Sequence, residues 1–299
     1  MLRFKADIRT LVFMGVTTAL LFIQWTQPEF HPALFVAACL MAVSVTAIAH
    51  NHNHLGIWKS DFLNGITDYW ITLFYGYPAF AWIPTHNMNH HVYNNKEQDY
   101  TATYKISENN NLLTLLAYPT YSGMVQQKAN VEYVKSLWIK DRKKWVHCML
   151  QVSALVLFYA VALFLNWKKA LLYIIIPHQV GLNAVLVFNY IQHVHANEDS
   201  AFDHSRNVVG WGMNAFLFNN GFHTVHHMYP KKHWSLAPIA HDDVKNKINP
   251  KLNEQSFLWF MFRTYILSIF IPKYRTVPMN PKVRGNPLSS GELIGEAQA

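Results

Sequence analysis

Charge is what this sequence most conspicuously lacks. Asp, Glu, Lys and Arg make up 14% of its 299 residues, whereas soluble chains carry roughly a quarter. With 51% apolar residues and 15% aromatics, that poverty excludes a disordered chain and disfavours an ordinary soluble enzyme. Cysteine is nearly missing too. Cys39 and Cys148 both fall inside apolar runs, so there is no disulfide framework to read. No internal repeat and no low-complexity tract is found. The first apolar run is long and no clear small-residue cleavage site follows it, which argues against a removable signal peptide. Histidine, by contrast, is abundant: 17 residues, as many as Asp and Glu together.

A hydrocarbon core about 30 Å thick needs roughly 17 to 25 apolar helical residues. Four stretches come close: Thr10–Trp25, Ala33–Ala49, Cys148–Trp167 and Ala170–Ile191. They form two hairpins, the first turning at Pro28 and Pro32, the second at Lys168 and Lys169. Three aromatic-rich segments, Thr67–Ile83, Leu112–Val125 and Ser256–Ile271, are broken by polar or kinking residues and read as interfacial or partly buried helices. The expected fold is therefore all-α: a four-helix membrane bundle of residues 1–274 with a cytoplasmic histidine cap. From about Arg275 a Pro/Gly-rich tail, expected to be mobile, completes the chain.

Lys and Arg number 3 before the first span, 9 between spans two and three, and 11 after span four, against 0 and 2 at the hairpin tips. That asymmetry predicts cytoplasmic termini and a cytoplasmic central segment, in what reads as a bacterial inner membrane. The net charge of +8 then reflects attraction to an anionic leaflet and not nucleic-acid binding. The basic stretch Lys135–Lys144 is read more simply as juxtamembrane than as a dock for an acidic protein.

All the histidine clusters fall on that cytoplasmic side. AHNHNHLG carries His50, His52 and His54; PTHNMNHHVYNN carries His86, His90 and His91; FNYIQHVHANED carries His193 and His195; NNGFHTVHHMYP carries His223, His226 and His227. One helical turn separates His50 from His54 and His86 from His90, and His223, His226 and His227 combine both helical spacings. Neutral imidazoles converging from such helices suit iron, zinc, copper or nickel. His52 and His195 fall off the main faces and stand as possible additional ligands. His31, His147, His178, His204, His233 and His241 read as ordinary polar or capping residues, although His178 is uncomfortable inside a span.

Two motifs are missing. There is no HExxH, so a hydrolytic zinc site lacks its general base, and no Glu-x-x-His pair of carboxylate-bridged di-iron bundles. Eight or nine histidines are too many for one zinc and sensible for two irons. A metal-binding or metal-transport protein remains the competing class, although polar ligands near the membrane midplane are not seen.

The order HxxxH, HxxxHH, NxxxH, HxxHH resembles the integral-membrane fatty acid desaturase and hydroxylase superfamily of non-haem di-iron enzymes, over about Ala33 to Trp234. The resemblance implies that His50, His54, His86, His90, His91, His193, His223, His226 and His227 hold two irons, with Asn189 near them. It implies O2-dependent attack on an unactivated methylene of a fatty acyl chain, free or linked to CoA, a carrier protein or a lipid. Desaturation is the preferred outcome; hydroxylation, acetylenic bond formation and decarboxylation to a terminal alkene share the oxidant. The HxxxHH box and the NYIQH string are closer to alkane hydroxylases, whereas the short chain and four spans suit desaturases. With no fused haem or flavin domain visible, electrons are expected from a ferredoxin, rubredoxin or cytochrome. Ligating imidazoles usually donate their second N–H to a carboxylate or carbonyl, and Asp61, Asp99, Glu198, Asp199 and Asp203 lie near the boxes as candidates. The aromatic residues of Asp68–Trp82 read either as an acyl tunnel or as an interfacial belt.

Overall fold

The computed structural model describes residues 1–281. Apart from one two-residue parallel pairing, Asn207–Val208 with Asn253–Glu254, and an isolated bridge, its regular elements are helical. The main elements are α1 (Ile8–Thr26), α2 (Pro32–His54), α3 (Asp61–Tyr75), α4 (the π-helical Ile83–His90 continued by His91–Tyr93), α5 (Leu112–Lys140), α6 (Arg142–Ala170) and α7 (Ile176–His193). Short helices follow, among them α8 (Trp211–Phe216), α9 (His223–Met228), α10 (Ala237–Val244) and α11 (Phe257–Phe262).

Three helical stretches are long and apolar enough to cross a membrane: Lys5–Thr26, Pro32–His54 and Arg142–His193. The third has 52 residues, about 78 Å if straight, yet it is not straight. Asn166 leaves helical geometry (φ −163°, ψ 97°), and a π-helical turn, Leu171–Ile175, follows. Tyr159 Oη and His178 Nδ1, 19 residues apart in sequence, meet at 2.8 Å. An unbroken helix would hold them about 28 Å apart, so the chain doubles back between them. The two hairpin tips meet: Lys169 Nζ donates to the carbonyls of Trp25 and Gln27, 2.5 and 2.8 Å away.

The outward faces are apolar. Val12, Phe22, Leu40, Val156, Leu157 and Phe164 are all more than half exposed, an arrangement suited to lipid and not to water. The polar residues of α1 turn inward instead: Thr10, Thr17 and Gln24 are buried, and Gln24 Nε2 donates to the Leu34 carbonyl across the first hairpin.

Helix α2 is the central post. From Ser44 to His50 every residue is buried, because α1, α3 and α7 all pack on it. Gly181 permits the closest approach: a Cβ there would lie 2.9 Å from the Ala42 carbonyl oxygen. Two buried polar knots then fix the end that bears the histidines. Asp7 accepts from Thr10 Oγ1, His233 Nε2 and Trp234 Nε1, tying the N-terminus to the loop after α9. Buried Arg206 donates to the carbonyls of Ile191 and Val194 and so satisfies the C-terminal end of α7. Glu254 holds the same group together, 3.8 Å from Arg206 Nε and paired twice with Arg263.

The three aromatic-rich segments are organised differently from one another. Thr67–Ile83 is two elements, because α3 stops at Gly76 in the left-handed conformation (φ 78°) and a 3-10 turn, Ala79–Ala81, follows. Leu112–Val125 is the first half of the 29-residue α5, which contains Pro119. In Ser256–Ile271 a π-helical turn, Arg263–Leu267, interrupts the helix. The basic stretch Lys135–Lys144 forms the corner between α5 and α6, where Arg142 stacks on the Trp138 ring. Of the expected tail, Thr276 and Met279 bond to the His195 turn, and residues 282–299 lie outside the described residues.

Candidate metal centre

Nine histidines converge at one end of the bundle, in two groups. His50, His54, His86, His91 and His226 form one; His90, His193, His223 and His227 form the other; within each, one nitrogen per residue lies within 4.8 Å of all the rest. These are the nine that the desaturase resemblance implies as ligands. His50 and His54 come from the last turn of α2, His193 from the last residue of α7, and the others from α4 and α9.

Adjacent residues feed different groups. His90 and His91 part company on α4, as do His226 and His227 on α9, since neighbours on a helix point about 100° apart. This is how the two groups come to lie side by side, with the His91 and His227 ring centroids 4.4 Å apart. His86 and His90 stack, their ring centroids 5.3 Å apart, but they belong to different groups. Helix α4 is π-helical over Ile83–His90, and the wider turn, closing at i+5, brings His86 onto the face of His91. Their Nε2 atoms are 3.1 Å apart.

The nitrogen spacings suit a metal shell. Nε2 atoms of His50 and His226, of His91 and His226, and of His193 and His223 are 2.9 Å apart, and those of His54 and His86 are 3.0 Å apart. Metal–nitrogen bonds of about 2.1 Å place ligands at right angles about 3.0 Å from one another. His90 Nε2 is buried and has no hydrogen-bond partner, which leaves a lone pair facing the four-histidine group. Burial first, then the neighbouring imidazoles, push His86, His223, His226 and His227 well below the ordinary histidine value, and His91 down to about 2. These rings are therefore neutral near pH 7, as ligation requires.

Asp99 is fully buried and accepts from His90 Nδ1 at 2.8 Å. The backbone N–H groups of Asn95 and Thr101 also donate to it, as does Thr101 Oγ1. Burial alone would raise this carboxyl; the charge and hydrogen bond of His90, with those of Thr101 and Asn95, hold it well below the usual range. His50 donates from Nδ1 to Asn51 Oδ1. The other acidic candidates have other partners: Asp61 is exposed in the first turn of α3, Asp199 pairs with Lys96, and Asp203 accepts from the Asn249 backbone. Glu198 is buried.

Both doubtful histidines point away from the groups. His52 Nε2 lies 3.3 Å from Asp68, which also meets His147 at 3.2 Å. His195 contacts Thr276 and the Glu108 carbonyl. His178 bonds to Tyr159, and His233 stacks on Phe4 and meets Asp7. One neighbour escaped sequence reasoning: Thr101 Oγ1 is 3.0 Å from His90 Nδ1, its only trace in the sequence being its place two residues beyond Asp99. Trp82, from the aromatic segment, meets His50 and His86 edge-on, and buried His204, read as an ordinary polar residue, lies 5.6 Å from the His227 ring.

Beside the centre lies a cavity of about 520 Å³ between α2, α3, α5 and α7, and His50, His86 and His223 reach its wall. Asn189 lines it, donating from Nδ2 to Tyr118 Oη at 2.7 Å. Ala47, Trp82, Leu182, Leu186 and Leu217 supply apolar wall. Of the aromatics in Asp68–Trp82, Tyr75, Tyr77 and Trp82 line this space.

An apolar helical bundle with two histidine groups that could each hold a metal ion, and a cavity beside them, has the make-up of an integral membrane metal-binding protein. Within that class the chain belongs to the fatty acid desaturase family, whose sequence pattern it matches over residues 28–268. No curated protein and no solved structure matches it.

Proposed function

We propose that this protein is an O2-dependent di-iron oxidase that introduces a carbon–carbon double bond into a fatty acyl chain. The observation that carries the reading is the division of nine imidazoles into a five and a four beside a cavity that His50, His86 and His223 line. The donor set is all imidazole nitrogen, which suits iron as well as zinc, copper or nickel, and the desaturase family points to iron. Two bound irons would supply the power to oxidise an unactivated methylene with dioxygen. In the balanced reaction the chain loses two hydrogens, and dioxygen takes these with two electrons and two protons to give two waters. The electrons come from a separate ferredoxin, rubredoxin or cytochrome.

The chain's own residues do the rest. Asp99 accepts from His90 Nδ1 and so orients that ring, while His90 Nε2 lies buried within the four-histidine group. The cavity holds an extended chain against His50, His86 and His223. Topologically, the two hairpins give four crossings, with both termini and the histidines at the cytoplasmic face of a bacterial inner membrane. The residues that hold the metals sit at the ends of α2 and α7 and not halfway along them, which favours an enzyme over a transporter.

Mass spectrometry of lipids and hydrocarbons from cells with and without the protein tests the reaction directly. New double bonds in acyl chains are expected. Alcohols or terminal alkenes as the sole products would move the assignment to a sister chemistry, and metal flux without lipid turnover would overturn it.

A further inference from the structure

The cavity has two unlike ends. At the histidine end it is lined by imidazoles. Along α5 and α7, away from them, Thr120, Met124, Gln127, Gln179 and Asn183 line it and are exposed, so the space opens sideways between the two helices. The surface beside that opening is apolar: Leu116 and Met124 are about two-thirds exposed. Four of the five mouth residues are polar, yet none carries a formal charge. Among the described residues no Asp, Glu, Lys or Arg lines the cavity anywhere.

Just inside the mouth, Tyr77 Oη donates to Gln127 Oε1 at 2.7 Å and receives Asn130 Nδ2 at 3.3 Å. That orientation leaves Asn130 Oδ1 buried without a donor, on a residue only 8% exposed. A buried acceptor left unpaired is costly. The group that completes this site must donate a hydrogen bond, and, with no cation to meet it, must be uncharged.

We propose that this amide-lined mouth binds the polar end of the substrate, and that this end is an uncharged, hydroxyl-bearing group, as in a long-chain alcohol or a monoacylglycerol, and not a carboxylate or a CoA thioester. The inference rests on the reading of the cavity as an acyl-chain site and narrows its substrate class. The substrate enters laterally from the bilayer and leaves its end group on Asn130, Gln127 and Asn183 while the chain runs toward the histidines. Asn183 and His193 are ten residues apart on α7, about 15 Å.

The full chain in nanodiscs, with and without iron, is titrated at pH 9 with three probes of equal chain length: a monoacylglycerol, the ionised free acid and the acyl-CoA, and in a further arm the long-chain alcohol. Binding is read by native mass spectrometry. The monoacylglycerol and the alcohol are expected to bind at least tenfold more tightly than the charged probes. The preference is expected to shrink to within twofold in Asn130→Leu and in Gln127→Leu, which test the site independently. A charged probe binding as tightly as the neutral ones, or an undiminished preference in both variants, overturns the proposal. Oxidation of the free acid or CoA ester without the predicted preference leaves the oxidase reading standing and removes only this inference. Selective binding with no oxidation of any chain does the reverse.

Discussion

Asp99→Asn is the most discriminating single-atom change available at the centre. In the wild-type chain the buried carboxylate accepts from His90 Nδ1, from two backbone N–H groups and from Thr101 Oγ1. An amide can keep the Thr101 side by presenting its oxygen there. Its NH2 then faces the Asn95 N–H and His90 Nδ1–H, donor against donor. Two charge-assisted hydrogen bonds are lost, each about 1.5–3 kcal/mol, and the one to His90 matches the roughly 10–100-fold loss of metal affinity typical when a ligating histidine loses its outer partner. Because His90 belongs to the four-histidine group and not to the other, the weakening should fall on one iron. Chelator competition on purified protein, with Mössbauer spectra to distinguish the two irons, reads this out. One iron is expected to become 10–100-fold easier to remove while the second is unchanged. Retention of both at wild-type affinity, or equal loss of both, would refute the reasoning. Asp61→Asn, at an exposed position on α3, serves as the control and should alter neither.

Three further outcomes follow from the geometry. His54→Ala should lower iron content toward one per chain, whereas His52→Ala, whose ring faces Asp68, should keep two; metal analysis of the pair decides it. His86, His91, His223, His226 and His227 have folded values depressed below the ordinary histidine range, so the stability they lend is present above the unfolded value of about 6.5 and lost as pH falls below it. Iron should be stable from pH 7 to 9 and released cooperatively below about pH 6.5, and release that is flat with pH would contradict the neutral-imidazole account. Gly76→Ala forces a left-handed residue to carry a Cβ 2.5 Å from the His178 ring; a cost of at least about 2 kcal/mol should lower the melting temperature in detergent by roughly 4–8 °C, and an unchanged melting curve would sink that reading.

Much of this arrangement is legible before folding. Apolar run lengths locate α1, α2 and the pair α6–α7, because a bilayer-length requirement leaves few alternatives. Eight of the nine converging histidines are legible because their boxes put at least two imidazoles within a helical turn of each other, and His193 is legible only through the desaturase-like N-x-x-x-H element. The partition between the two groups is not. It depends on the π-helical turn over Ile83–His90, and no residue there announces that the period widens from 3.6. Asp99 could not be separated from Asp61, Asp199 or Asp203 by sequence distance, since the turn at Asn94 and Asn95, both at positive φ, folds the chain back onto His90. The lateral mouth was also unreadable: Tyr77, Gln127, Asn130 and Asn183 come from three separate segments, and their shared lack of charge has meaning only once they surround one space.

Two metal ions, one in each imidazole group, are the claim on which the rest depends. An iron-edge anomalous difference map from crystals of the iron-loaded protein tests it most directly. Two peaks are predicted, one enclosed by His50, His54, His86, His91 and His226 and the other by His90, His193, His223 and His227. A single peak, or iron bound elsewhere in an active sample, would contradict it.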